Sequence, residues 1–410
     1  MHRKLFQKAG IVKNIILDLS GNIALIGISQ FLIYPLLSQN LSSEKFGSLL
    51  TLVAISNLVG NVFGGTINNI RLIRNQEYKK NGFDGDFRII VEYGAILTAL
   101  GMLIGLSIFQ SQVELNQWIL LPLLSVFSML RAYMGTEYRI NLQYHKVMLH
   151  AVSTCIGYLI GIPIFYLTQD WTIIFLTGEI LAFLFASFTT RFFFEPRTKT
   201  ILFNKTVKET NHLLISNFMA NILTYLDRLL INPVMGPENV SIYFIASMIG
   251  KSIGIVLQPV AGVTLSYISS ATKSHASLLY IMTNAGAIIA GLLAFFISIP
   301  LSPIAIGILY PNLLNEVSSY FILANTSAIL ATVASLFQPV ILRFCPLQWQ
   351  VIIQLVYCFT YIILGYILMV VYQLYGFCVG SIIAQVIRIV LLSSVGYYYI
   401  IFKKTESSSR

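Results

Sequence analysis

Charge is scarce in this chain. Asp, Glu, Lys and Arg make up 10% of its 410 residues, against roughly 25% in a soluble domain, whose surface must be solvated. A soluble globular architecture is thereby excluded. Cysteine is also rare. Cys155, Cys345, Cys358 and Cys378 lie in or beside apolar runs without CxxC spacing, which removes a disulfide framework and leaves small core hydrophobes. The five histidines (His2, His145, His150, His212 and His275) fall in polar connections or at the ends of apolar runs. No HExxH, GxSxG or phosphate-loop pattern is present, so neither a metal site nor a cofactor is predicted. Long hydrophilic segments are missing too, which leaves no room for a catalytic domain outside the apolar part. The protein reads as a non-enzyme.

What is present is hydrocarbon. The chain is 56% hydrophobic with a mean hydropathy of +0.78, and a membrane helix needs about 20 apolar residues. Runs of that length fall near 15–37, 47–69, 89–109, 118–138, 147–167, 172–190, 213–235, 241–264, 277–299, 318–340, 350–371 and 377–401. The expected fold class is an all-α polytopic membrane protein of about twelve transmembrane helices. The first run is interrupted by Asp18, Asn22 and Gln30 and follows Arg3, Lys4, Lys8 and Lys13. With no cleavage-like site behind it, it reads as a retained helix.

The basic residues set an orientation. Of 26 Lys and Arg, only Lys45 falls in the connections predicted outside (38–46, 110–117, 168–171, 236–240, 300–317 and 372–376). Arg131, Arg228, Lys251 and Arg388 fall within spans, and the remaining 21 lie on the other side. Positive charge is retained in the cytoplasm, so both termini are expected inside. The net charge of +10 is thus a topology signal and implies no nucleic acid partner. The outer connections carry only Glu44, Glu114, Asp170, Glu238 and Glu316 as acids, too few for a polymerase or ligase acting on external sugar.

Residues 52–68 (LVAISNLVGNVFGGTIN) and 242–258 (IYFIASMIGKSIGIVLQ) resemble each other, with Gly60 and Gly64 falling on Gly250 and Gly254. Together with the basic connection 191–212, this divides the chain into two six-helix lobes, 1–205 and 206–410, related by a parallel pseudo-two-fold. Further small-xxx-small pairs occur at Gly101/Gly105, Gly157/Gly161 and Gly376/Gly380, suited to close helix approach. Pro35, Pro122, Pro163, Pro233, Pro259 and Pro339 lie within or at the ends of spans and offer places to bend.

Positions i, i+4, i+7 and i+11 share a helix face. Such faces hold Asn57, Asn61, Gly64 and Asn68, continued by Arg71; Asn217, Asn221, Thr224 and Arg228; and Ser247, Lys251, Gly254 and Gln258. Shorter ones hold Asp18, Asn22 and Ser29, and Ser381, Gln385 and Arg388. Lipid cannot hydrogen-bond them. Either they bond across helix interfaces or they line a central aqueous cavity, which their recurrence in both halves favours. Candidate cavity residues are therefore Arg228, Lys251, Arg388, Arg131, Asn57, Asn61, Asn68, Asn217, Asn221, Gln258 and Gln385. Of the spans' acids, Asp18, Glu92, Glu179 and Asp227, three (Asp227, Glu179 and Asp18) are candidates for proton or cation coupling.

The run from Pro35 through SEKFGSLLTLVAISNLVGNVFGG to Arg71, the segment NILTYLDRLLINPVMGPENVSIYFIA (with Asp227, Gly236, Tyr243 and Ala246) and the stretch PLSPIAIGILYPNLL resemble the polysaccharide-repeat (O-antigen and capsule) flippases of the multidrug/oligosaccharidyl-lipid/polysaccharide exporter superfamily. Ser241, where that family has Gly, and Pro233 depart from its pattern. The resemblance implies a V-shaped, two-lobed bundle in the bacterial inner membrane. It would pass an undecaprenyl-diphosphate-linked oligosaccharide from the inner to the outer leaflet by alternating access. The implied partners are that lipid-linked oligosaccharide and the bilayer, with a polysaccharide polymerase and a chain-length regulator as candidates. A multidrug or cation exporter of the same superfamily is the main alternative. A twelve-helix facilitator is disfavoured, because the connection RLIRNQEYKKNGFDGDFR lacks its Gly/Asp/Arg signature.

Overall fold

The structure is a computed structural model that describes residues 17–83, 86–109, 112–269 and 276–402. Arg3, Lys4, Lys8, Lys13, His2, Lys273, His275 and the basic C-terminal residues lie outside the described residues. Among those described, all regular structure is helical.

Six helices come first: α1 (Leu17–Asn40), α2 (Ser43–Asn81), α3 (Asp86–Ile108), α4 (Gln117–Ile140), α5 (Tyr144–Thr168) and α6 (Thr172–Thr189). Pro35 has no N–H to offer the preceding turn, and α1 absorbs the gap with a π-helical turn at Ser29–Ile33. The helix α2 starts on the Ser42 side chain, which accepts from the Lys45 N–H at 3.3 Å, and ends on Gly82 at φ 65°. Its 39 residues extend about 58 Å at 1.5 Å per residue, well beyond a hydrocarbon core of about 30 Å. The last turns of α2 therefore project past the apolar layer.

Next come α7 (Phe203–Met235), α8, α9 (Ala276–Leu309) and α10 (Phe321–Phe344). The helix α8 is bent by 55° between Pro237–Ala246 and Met248–Gln258. Its bend falls at Ser247 and not at a proline, while α4, α5, α7, α9 and α10 continue through internal prolines. The final helical segment, Leu347–Gly396, reverses at Tyr372 and Gln373, whose backbone is non-helical. It forms an antiparallel pair, α11 (347–371) and α12 (374–396). Nine helices among the described residues are long and apolar enough to cross a membrane, and the bent α8 makes a tenth. Separating α11 from α12 and adding α7, whose Asn, Thr, Asp and Arg residues dilute its hydropathy, gives the twelve segments expected from the sequence. The predicted connection 300–317 is corrected: α9 runs through Pro300 and Pro303 to Leu309, a short helix follows at Leu314–Ser318, and little open loop remains. Exposed residues along α9 are almost wholly apolar, among them Ile289, Leu293, Phe296 and Ile304, as a lipid-facing surface requires.

The chain forms two compact units, Met1–Leu229 and Leu230–Arg410, with the division inside α7. In the first, α2 packs on α4, α3 on α2 and α4, α4 on α6 and α5 on α6. In the second, α8 packs on α10, α9 on α8 and α10, and α10 on the α11–α12 pair. The resemblance reaches individual contacts. A β-carbon on Gly60 would stand 3.1 Å from the Ser125 carbonyl oxygen, and one on Gly250 would stand 2.9 Å from that of Asn325. Gly64 abuts Ala132 and Gly254 abuts Thr332, so the α4 and α10 partners are displaced by the same interval. The α5–α6 crossing of Gly157 on Gly178 is likewise repeated by Gly365 on Gly380 between α11 and α12. On this correspondence Arg131 and Glu179 match Ala331 and Ser381.

Candidate functional site

In the first unit, α7 runs antiparallel to α2, and polar residues face each other along the seam. The Asn217 amide donates to Thr66 Oγ1 at 2.9 Å, Tyr225 bonds Asn61, and the Arg228 guanidinium donates to the Leu50 carbonyl at 3.2 Å and bonds Tyr34. Towards the basic end, Arg74 pairs with Glu209 and Lys205 with Glu77. Asn57 is half-buried on α2, and Asn221 donates to the Asn217 carbonyl at 2.8 Å. Asn61, Asn217 and Arg228 thus lie along one seam, each with its own partner. Asn68 is turned away towards α4, accepting from Thr136 at 2.7 Å. Asp227 is buried, and its carboxylate accepts the Arg228 N–H at 2.9 Å.

Arg131 pairs with Glu179 across α4 and α6 at 2.6 Å, with the carboxylate 3% exposed. Asp18 meets Arg139 at 3.3 Å, and Glu92 meets Arg88 and Arg197. Asp18, Glu92 and Glu179 are accordingly taken up in ion pairs, while Asp227 accepts from the backbone of its own helix.

In the second unit, the Lys251 ammonium sits 5.2 Å from the Tyr243 ring centroid, and the Arg388 guanidinium sits 4.8 Å from that of Tyr357. A continuous row of rings joins these cations: Tyr243 to Phe377 at 5.0 Å, Phe377 to Tyr361 at 5.9 Å, and Tyr361 to Tyr357 at 5.8 Å. Gln385 donates to the Tyr357 hydroxyl at 2.7 Å. Its own oxygen is buried and has no hydrogen-bond partner among the described residues. Ser381 turns back to the Cys378 carbonyl, and Gln258 is exposed on α8.

The cations differ in their compensation. Arg131 has a carboxylate and Arg228 a carbonyl. The described residues give Arg388 no carboxylate within ion-pair distance and no hydrogen bond, only the Tyr357 face. A cation at the bilayer centre costs about 2.5–3.5 kcal/mol on insertion scales, and a cation–π contact returns roughly 0.5–2 kcal/mol. The Arg388 cluster therefore combines an uncompensated positive charge with an unused acceptor. An anion that also carries hydroxyl donors would satisfy both. Tyr357 escaped the sequence reading; the available signal was a tyrosine inside an apolar run, whose hydroxyl needs a partner when buried. No group of three or more His, Cys, Asp or Glu that could hold a metal occurs among the described residues.

No protein-family model and no curated protein sequence matches the chain. Solved structures do. An inward-facing multidrug resistance MATE family transporter of the MOP superfamily superposes with a TM-score of 0.66 at 13% identity, over 96% of each chain. The lipid II flippase MurJ, in an inward closed conformation, gives 0.66 at 16% identity, over 95% of this chain and 86% of that one. A MOP superfamily transporter from Pyrococcus furiosus, described by the reverse polarity of its binding pocket, gives 0.63 at 14% identity, over 95% and 96%. The chain therefore has the fold of MOP-superfamily transporters and is a multi-pass membrane protein of that architecture.

Proposed function

We propose that the protein is a flippase that moves undecaprenyl-diphosphate-linked oligosaccharide repeat units from the inner to the outer leaflet of a bacterial inner membrane by alternating access, with both termini cytoplasmic. The observation that carries this reading is Arg388, a membrane-embedded cation without a counter-anion among the described residues, beside the buried, unused oxygen of Gln385. A diphosphate or acidic sugar supplies the anion, and sugar hydroxyls supply donors for the oxygen. A cation or drug exporter would instead require an uncompensated acid at such a place. The fold shared with a lipid II flippase supports a lipid-linked cargo. A polysaccharide polymerase and a chain-length regulator are the partners such a role would need.

Deleting the gene in a strain without redundant flippases is expected to abolish surface polysaccharide and leave lipid-linked repeat units in the inner leaflet. Complementation with Arg388→Ala is expected to restore little export at an unchanged protein level, whereas Arg388→Lys restores part of it. Normal surface glycan in the deletion strain, or altered drug susceptibility as its sole phenotype, would overturn the assignment.

A further inference from the structure

A cavity of about 630 Å³ opens at the basic end of the first unit, between the ends of α2, α3 and α4 and the segment after α6. That volume is in the range of small-ligand sites. On its lining, Arg71 is already paired with Glu195, donates to the Tyr133 hydroxyl and sits 5.6 Å from the Phe87 centroid. Glu137 accepts the Arg191 backbone N–H at 2.8 Å. Two further lining bases, Lys79 and the Arg191 side chain, are exposed, and the described residues give neither an ion pair. The rest of the lining combines the rings of Tyr78, Phe83, Phe87 and Phe194 with polar Asn75, Asn141 and Thr190. Phe194 is 85% exposed and Phe188, on the last turn of α6, is 87% exposed. Aromatic rings at helix ends suit the headgroup level of a bilayer and not bulk water. A soluble anion would leave these rings in water, whereas a lipid would cover them with its acyl chains.

From this juxtaposition of two unspent bases, a cavity and an exposed aromatic rim, we infer a second binding site, separate from the Arg388 cluster, for the phosphate-bearing headgroup of an anionic phospholipid. Lys79 and Arg191 contact the phosphate, and Phe194 lies beside the chains. The site bridges the end of α2 to the segment leading into α7, so occupancy ties these two elements together.

The test is binding of short-chain phosphatidylglycerol to the purified full chain in neutral detergent, followed by native mass spectrometry. Phosphatidylcholine, inorganic phosphate and ATP serve as competitors. Phosphatidylglycerol is expected to bind in preference to phosphatidylcholine, and Lys79→Ala combined with Arg191→Ala to weaken it about tenfold or more, each lost charge-assisted contact being worth up to a factor of ten. Lys80→Ala, an exposed neighbour outside the cavity lining, is expected to bind as wild type. Equal binding of the two lipids, or an equal loss in Lys80→Ala, would reduce the site to diffuse surface charge and overturn it. Displacement of the lipid by ATP or phosphate at matched concentrations would assign the cavity to a soluble phosphate and overturn the lipid. Both replaced residues are exposed, so unchanged size-exclusion profiles are expected and separate lost binding from lost folding. The outcome is independent of the cargo.

Discussion

Arg131 on α4 and Glu179 on α6 form a buried ion pair, Nε to Oε2 at 2.6 Å, at positions where the second unit carries Ala331 and Ser381. Removing one member of such a pair costs about 3–5 kcal/mol, because the other charge is left buried and alone. Glu179→Gln and Arg131→Ala are each expected to lower the thermal unfolding midpoint in detergent. The double variant Arg131→Ala, Glu179→Ser, which copies the second unit, strands no charge and is expected to lose much less than the sum of the single losses. Additive losses in the double variant would show that the two side chains act separately.

The close helix crossings make a second prediction. Gly64→Val and Gly250→Val place side-chain atoms against the backbone or side chains of α4 and α10 and are each expected to cost about 1–3 kcal/mol. Nothing lies within 4 Å of a β-carbon on Gly65. Gly65→Ala is therefore expected to be neutral or to gain up to about 1 kcal/mol from helix propensity. Equal unfolding midpoints for Gly64→Val and Gly65→Ala would contradict a tight α2–α4 crossing.

The reversal between α11 and α12 turns on Gln373 at φ 55°. With its ψ at −144°, the residue lies close to the region that only glycine enters freely, which costs other side chains roughly 1–3 kcal/mol. Gln373→Gly should hold or raise stability, and Gln373→Val should lower it by about that amount. A chemical unfolding series in detergent distinguishes the two.

Cys345, between α10 and α11, is 8% exposed, and burial pushes its thiol from the ordinary 9.0 up to about 11. The folded state thus keeps a proton that the unfolded state loses between these values, so this group's contribution falls as pH rises from about 9 to about 11. In a variant whose other cysteines are replaced, maleimide at pH 8 should modify Cys345 only after unfolding. Prompt labelling of the folded protein would show that the thiol is accessible.

Much of the fold was legible because span length and hydropathy are local properties. The doubled architecture showed in Gly60/Gly64 against Gly250/Gly254, since close crossings demand a residue without a side chain wherever they occur. Partner choice was not legible. Asn61 and Asn68 share one predicted face, yet the first meets Tyr225 of α7 and the second Thr136 of α4, because a face wide enough for a polar stripe touches two neighbours. That Arg131 would find Glu179 while Arg388 found only Tyr357 depends on helices distant in the chain, and no spacing rule encodes it. The α9 extension through Pro300 and Pro303 was not legible because a span's length and hydropathy do not say where the helix itself stops, and membrane helices tolerate proline.

The matched crossings, Gly157 on Gly178 and Gly365 on Gly380, separate skeleton from chemistry. Each half keeps the same joints while its ionisable residues have diverged, so a duplicated chassis can change what one copy handles without being rebuilt. Transplanting the Ala331 and Ser381 side chains into the first half, or an acid into the second beside Arg388, would retune charge on an unchanged frame.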